Sequence, residues 1–342
     1  MTKNYFMKKI SLLLIVTIVI FNCSDSQNKN SKNTANPETY AKTISANELK
    51  DMLYTYASNE FEGRKTGEAG QKKAINFIKD NYIANNISSP IAEGDYFQEI
   101  PVEYFNGRAD NASENVIAYI KGSEKPEEVV VISAHLDHIG ISSNGDINNG
   151  ADDDGSGTVG ILEIAEAFKA AEKDGFAPKR TVVFLHVTGE EIGLFGSKYY
   201  ADVDPIFPLK NTVANLNIDM IGRVDEKHEG KPNYLYLIGS DRLSTELHTV
   251  SDSINKATVN LELDYTFNDE NDPNRFYYRS DHYNFAKHNI PVIFYFNGTH
   301  ADYHKPSDTP DKINYEFLET RTRLIFYTAW ELANREERVK VD

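Results

Sequence analysis

The sequence predicts an α/β domain, a mixed, mainly parallel central sheet with helices on both faces. Three observations predict it. Segments rich in β-branched residues alternate along the chain with segments whose apolar residues recur at helical spacing. Two strand candidates, "TVVFLHV" at 181–187 and "PVIFYF" at 291–296, are unbroken apolar runs, as expected of strands buried on both faces. No break in composition after residue 45 marks a second domain, so 45–342 reads as one unit.

The elements follow in order. Ser45 opens a helix over about 46–57 with a capping box, Glu48 standing three residues on in "SANE". A second helix covers about 70–85. "ENVIAYI" at 114–120 and "EVVVISA" at 128–134 are strands, and "GTVGILEIAEAFKAAEK" at 157–173 is a helix. The strand at 181–187 leads to a helix near 194–203 and to a strand, "TVANLNI", at 212–218. "YLYLIG" at 234–239 is a strand; a helix near 243–256 and a short one at 281–288 follow. The strand at 291–296 precedes a long C-terminal helix over about 314–336. In such a fold the site lies beyond the carboxyl ends of the strands.

Charge narrows the partners. The chain carries 52 acids against 36 bases, a net −16, which repels phosphate backbones and argues against nucleic acid. It does not repel amines or metal cations. Lys3, Lys8 and Lys9 precede an apolar run, Ile10 to Phe21, too short to span a bilayer but suited to a signal peptide over 1–22. The run ends near Cys23, the only cysteine, which resembles the lipid-accepting cysteine of bacterial lipoproteins, although "IFN" before it departs from the usual small residues. Residues 23–44 are then expected to be a lipidated cysteine and a polar, flexible tether. This places the protein in a bacterial cell envelope, periplasmic or anchored at the outer membrane. With Cys23 so used, the fold has no disulfide and no thiolate metal ligand.

The central puzzle is "NNGADDDGSG", where Asp152, Asp153 and Asp154 stand side by side. "GSGTVG" at 155–160 matches a dinucleotide fingerprint by letter, but three aspartates would repel a pyrophosphate at that helix end. Read as a calcium loop, the stretch lacks the first ligand and the bidentate glutamate. A serine-hydrolase elbow and the pattern H-E-x-x-H are both missing from the sequence. What remains is a series of strand ends. His135 and Asp137 follow one strand, Glu190 and Glu191 the next, and Asp219 a third. Tyr303 and His304 lie beyond the last. On an extended chain His135 and Asp137 point the same way, so Asp137 is placed to orient the imidazole. Such a cleft would be strained by charge repulsion unless cations fill it, and two divalent ions bridged by a carboxylate do so. Imidazole with carboxylate favours zinc over magnesium or calcium.

"SAHLDH", "NGADDDGSG", "TGEEIGLFGS", "NIDM" and "YHKPSDT", in this order, resemble the di-zinc family 28 metallopeptidases, the bacterial aminopeptidase group. The resemblance covers about 46–335, including the upstream "YASNEFEGRKTGEAGQKKAINFI". It implies two zinc ions: His135 and Asp219 on one, Glu191 and His304 on the other, Asp153 bridging both. It implies Glu190 as general base acting on a metal-activated water, and Asp137 as the partner of His135. Tyr303 matches an oxyanion donor of some members. Asp152 and Asp154 are then structural, through loop hydrogen bonds or as the cap of the 157–173 helix. "YRSDHYNF" resembles a pocket-lining segment, making Arg279, Ser280 and Asp281 candidates for shaping the site, with Asp281 equally a helix cap. His138, His186, His282 and His300 are expected in packing or loop roles, His138 and His282 near the site. The implied activity is removal of N-terminal residues from peptides with free N-termini. A glutaminyl cyclase, a di-zinc carboxypeptidase or dipeptidase, and a non-catalytic binding protein of the same fold are the alternatives. Arg279 keeps the carboxylate-recognising reading open.

Overall fold

The computed structural model describes Met1 and residues 35–342. Apart from Met1, the expected signal segment, Cys23 and the tether up to residue 34 lie outside the described residues. The tether was expected to reach residue 44, and this boundary needs correction. The packed unit begins at Ala35. A short helix, α1 (Pro37–Ala41), buries Tyr40 and Ala41, and Ile44 follows it into the core. The Tyr40 ring stacks on Trp330 at 5.7 Å. Three apolar side chains in an otherwise polar stretch suffice to dock it, and composition averaging hides them.

The helices α2 (Ala46–Tyr56) and α3 (Ala69–Ala84) precede the sheet. Its strands are β1 (Phe97–Ile100), β2 (Ser113–Ile120), β3 (Lys125–His135), β4 (Arg180–Val187), β5 (Thr212–Ile218), β6 (Tyr234–Ile238), β7 (Glu262–Asp264) and β8 (Val292–Phe296). They lie in the order β1-β2-β4-β3-β5-β8-β6-β7. The centre β4-β3-β5-β8 is parallel, while β2 joins β4, and β6 joins β8, antiparallel. The short strands β1 and β7 carried too few alternating residues to be seen in the sequence. The remaining helices are α4 (Gly157–Lys173), α5 (Phe195–Asp202), α6 (Thr245–Ala257), α7 (His282–Ala286) and α8 (Tyr315–Asn334). Among the described residues no helix is long and apolar enough to cross a membrane.

The unbroken apolar runs are explained by burial on both faces. Along β3, Val130, Ile132 and Ala134 join one apolar layer, while Val129 and Val131 join the other. Along β4, Val182 and Phe184 face the first layer, and Val183, Leu185 and Val187 the second. Period two thus sorts a hydrophobic run into two cores.

Buried arginines secure the loops at the carboxyl end. Arg64 donates from Nε to the Leu136 carbonyl (3.1 Å), from Nη1 to Asn149 (2.6 Å) and from Nη2 to Gly150 (2.8 Å), tying the end of β3 to the aspartate loop. Arg321 on α8 donates to the carbonyls of Ile221 (2.8 Å), Arg223 (2.7 Å) and Tyr234 (3.1 Å), fixing the segment beyond β5. Each guanidinium satisfies several carbonyls that would otherwise be buried unpaired.

The capping box at α2 forms only in part. Ser45 Oγ accepts from the Glu48 N–H at 3.2 Å, but the Ser45 N–H donates to Glu163 Oε2 of α4 at 3.1 Å rather than to Glu48. Burial pushes the Glu163 carboxyl up to about 8; the Ser45 bond opposes this, and Glu48, Glu166 and Glu319 reinforce it. Because the folded value exceeds the ordinary 4.5, the fold favours the protonated acid. That contribution is complete below about pH 4.5 and is lost as pH rises through about 8. Glu163→Gln keeps an acceptor for Ser45 and cannot ionise. Its melting temperature should therefore fall less than the wild type's over that window, read by thermal denaturation at a series of pH values. Coincident profiles would show that Glu163 carries no such burden.

Candidate active site

His135 ends β3, Asp219 directly follows β5, and Glu190 and Glu191 lie in the loop after β4. Parallel register brings these ends together: Ala134 pairs with His186, and Ser133 with both Leu185 and Asn217. Asp153 sits in the tight turn Ala151–Ser156 before α4. His304 lies in the loop after β8 with φ +54°.

These residues meet around Asp153. His135 Nε2 is 3.2 Å from Asp153 Oδ1 and 3.6 Å from Asp219 Oδ1. His304 Nε2 is 3.1 Å from Asp153 Oδ2 and 3.1 Å from Glu191 Oε2. Two donors on one tetrahedral ion at 2.0–2.1 Å lie about 3.3 Å apart, so this spacing fits a shared cation. Asp153 Oδ2 is buried and, among the described residues, makes no hydrogen bond of sound geometry. The donor set, imidazole and carboxylate without thiolate, suits a catalytic divalent ion. Asp154 also lies within reach of His135 and Asp219. Its Oδ1 accepts from the N–H groups of Gly157 (2.9 Å) and Met220 (3.1 Å) while its Oδ2, like that of Asp153, has no hydrogen-bond partner among the described residues; Asp153 is set apart by standing against both His135 and His304.

The other aspartates brace the loop, as expected. Asp154 caps α4 at Gly157, where a Cβ would stand 2.4 Å from both carboxylate oxygens, so only glycine fits. Asp152 Oδ1 accepts from the Gly222 N–H at 2.6 Å, and its Oδ2 lies 3.1 Å from His300 Nε2. The Asp308 carboxylate accepts from the N–H groups of Asp152 and Asp153 at 3.0 and 3.2 Å. Sequence reasoning missed Asp308, although it stands in "YHKPSDT".

The cleft is strongly electronegative. Burial would lower both imidazoles, yet Asp153 and Asp219 hold His135 well above its usual value, and Asp153 and Glu191 raise His304 to about 10. Burial, then Asp219, Glu191 and Asp281, push the Glu190 carboxyl up, against the pull of His135.

Asp137 and Asp281 depart from expectation in detail. His135 Nδ1 meets the Asp137 backbone carbonyl at 3.0 Å, while the carboxylate stands 3.9 Å away. The Asp137 carboxylate instead accepts from Thr66 Oγ1 (2.7 Å) and from the Glu190 N–H (3.2 Å), holding the loop that carries Glu190. Asp281 makes no side-chain cap to α7. It accepts from Ser197 Oγ, and burial raises its carboxyl to about 7. Ser280 Oγ donates to Asp219 Oδ2 at 2.7 Å. Behind it Asn217, Ser133 and Asn215 continue a buried hydrogen-bonded chain through the sheet.

His138 was expected near the site and lies within it, its Nδ1 2.7 Å from Glu191 Oε1. β3 ends at His135, so strand alternation does not set where the His138 side chain points. His186 bonds Tyr82, and His282 stacks on Phe294 at 4.9 Å, both packing roles.

Beside the carboxylates opens a small, partly open pocket, lined on its apolar side by Met220, Phe276, Phe294 and Phe296. Glu190, Arg279, Thr299 and Tyr303 also face it. The Tyr303 ring stacks on His304 at 3.9 Å, and burial, with the surrounding acids, pushes its phenol up, so it keeps its proton. The exposed Arg279 guanidinium lies 4.9 Å over the Phe276 ring.

Aminopeptidase YwaD of Bacillus subtilis is 31% identical over 162 residues, covering 42% of this chain and 33% of the relative. The probable glutamate carboxypeptidase LAMP1 of Arabidopsis thaliana is 29% identical over 143 residues, 40% of this chain and 20% of the relative. These matches thus span a fifth to a third of the relatives' length. Among solved structures, the LapA aminopeptidase of Legionella pneumophila superposes with a TM-score of 0.68 at 20% identity, covering 88% of this chain and 75% of that one. BSAP, a zinc aminopeptidase from Bacillus subtilis, gives 0.66 at 17% identity, covering 87% and 97%. At such identity the likeness is one of fold. The model of Peptidase family M28 matches residues 115–329, which hold every metal-donor candidate, and the chain belongs to that family.

Proposed function

We propose that the protein is an aminopeptidase that holds two zinc ions and removes residues from the free N-termini of peptides. One observation carries the reading: the two oxygens of Asp153 face two separate donor groups, His135 with Asp219 and His304 with Glu191. In this reading Asp153 would serve both ions, with His135 and Asp219 holding one and Glu191 and His304 the other. When bound, the zinc pair supplies Lewis acidity that polarises the scissile carbonyl and makes water a nucleophile at neutral pH.

The protein's own groups do the rest. Glu190 lines the pocket beside Asp153 and Asp219 and takes the proton of the attacking water, then returns it to the leaving amine. Asp137 holds the Glu190 N–H through its carboxylate and the His135 imidazole through its backbone carbonyl, so both share one anchor. The Tyr303 phenol, in the same wall, donates to the oxyanion. The apolar wall of Phe276, Phe294, Phe296 and Met220 receives the side chain of the departing residue, and the carboxylates favour its ammonium group.

A second reading rests on Arg279. An exposed guanidinium in the pocket wall suits a substrate carboxylate, as a carboxypeptidase or dipeptidase would need. The order of basic residues, apolar run and Cys23 supports export with a lipid anchor in the bacterial envelope.

The zinc-loaded protein should shorten peptides with free N-termini one residue at a time and leave N-acetylated peptides intact, as followed by mass spectrometry. Shortening of acetylated peptides from the other end would transfer the assignment to the second reading. Glu190→Gln should retain zinc by elemental analysis while kcat falls by about 10²–10⁴-fold. Asp153→Ala should lose both activity and bound metal. A Glu190→Gln enzyme with wild-type kcat would remove Glu190 from the role of base.

A further inference from the structure

We propose that His138 is a positioning residue for the second metal site, clamping one oxygen of Glu191 so that the other alone is presented to the ion. The inference rests on the two-zinc reading above. His138 is 1% exposed, and its Nδ1 lies 2.7 Å from Glu191 Oε1. A carboxylate oxygen only accepts, so Nδ1 carries the proton and donates it. The other oxygen, Oε2, is the one facing His304 Nε2.

Distances separate a clamp from a ligand. The four histidine–carboxylate distances around Asp153, from His135 to Asp153 and Asp219 and from His304 to Asp153 and Glu191, are 3.1–3.6 Å, the spacing of groups that share an ion. The 2.7 Å between His138 and Glu191 is instead a direct charge-assisted hydrogen bond. His138 Nδ1 is 3.7 Å from Asp153 Oδ2. A ligating imidazole also needs its second nitrogen held, as the Asp137 carbonyl holds His135 Nδ1. His138, Asp153 and Glu191 stand close enough together to hold an ion, but His138 Nε2 is buried without a partner among the described residues, so nothing orients this ring as a ligand's second nitrogen requires.

The ring's seat is built. Gly150 adopts φ +54°, and a Cβ there would fall 2.6 Å from His138 Cδ2 and Cγ. The His138 N–H donates to the Arg64 carbonyl at 3.2 Å. The His304 ring meets it edge-on at 5.8 Å. On the other side of Asp153, Ser280 does the same for Asp219, taking Oδ2 and leaving Oδ1 toward His135. Glu191 and Asp219 are thus each pinned by one oxygen, with the free oxygen turned to the cleft.

The test is stepwise zinc affinity of the full-length chain, measured by competition with a chromophoric chelator, with cobalt absorption spectra alongside. His138→Ala should bind the first zinc as the wild type does and the second about 10- to 100-fold more weakly. His138→Asn, which can place an amide N–H near the position of Nδ1, should come within a few-fold of wild type and share its two-cobalt spectrum. Should the alanine variant fail to fold, His138→Phe keeps the bulk without the donor and should show the same loss. Unchanged second-site affinity in the variants lacking the donor overturns the proposal. So does an asparagine variant as weak as alanine, because the ring would then merely fill space. A wild-type chain that binds fewer than two zinc ions overturns the two-zinc reading itself, and this inference with it.

Discussion

Burying many carboxylates in one cleft is the constraint on which the rest of the structure depends. Asp137, Asp152, Asp153, Asp154, Asp219, Asp281 and Asp308 are all buried at one end of the sheet, with Glu190 and Glu191 beside them. A buried, unpaired carboxylate would be strongly disfavoured. The protein therefore gives most of these acids a hydrogen-bond donor of their own. Backbone N–H groups serve Asp152, Asp154 and Asp308. Hydroxyls serve Asp137, Asp219 and Asp281, and an imidazole serves Glu191. After this assignment both oxygens of Asp153, one of Asp219 and one of Glu191 remain turned toward the two histidines. The acids outside the candidate donor set are what make the remaining arrangement specific.

The scaffold follows from the same need. Loops that carry acids into a low-dielectric region must not shift, since small displacements change electrostatic energies strongly there. Arg64 and Arg321 hold those loops through main-chain carbonyls rather than through acids, so their positive charge adds to the local field without neutralising any one donor. The pocket is then free to differ in character from the cleft beside it. Its wall is aromatic, and its one arginine packs on a ring instead of pairing with a carboxylate.

Much of this was legible in the sequence because the donors stand immediately after strands whose hydrophobic runs are unmistakable. Parallel register does the remaining work: residues that close β3, β4 and β5 must come level. The same logic failed where the chain leaves the strand. His138 and Asp137 lie beyond the last residue of β3, and there only the fold decides which atom faces the imidazole. Arg64, Thr66 and Asp308 were opaque for a related reason, since their partners lie far along the chain and no local periodicity marks them. The start of the domain was misplaced because three buried side chains in a polar stretch leave little trace in average composition.

The parallel order of the central strands also bears on how the molecule assembles. From His135 to His304 the donors span about half the chain, and β3 cannot meet β4 until the α4 crossover has formed. Closing such long segments is entropically unfavourable and is compensated only when distant contacts are made together. The candidate donors around Asp153 come from four separate stretches of the chain, so the full set exists only once β3, β4, β5 and the loop after β8 have been brought level, and the cleft is a product of the finished topology.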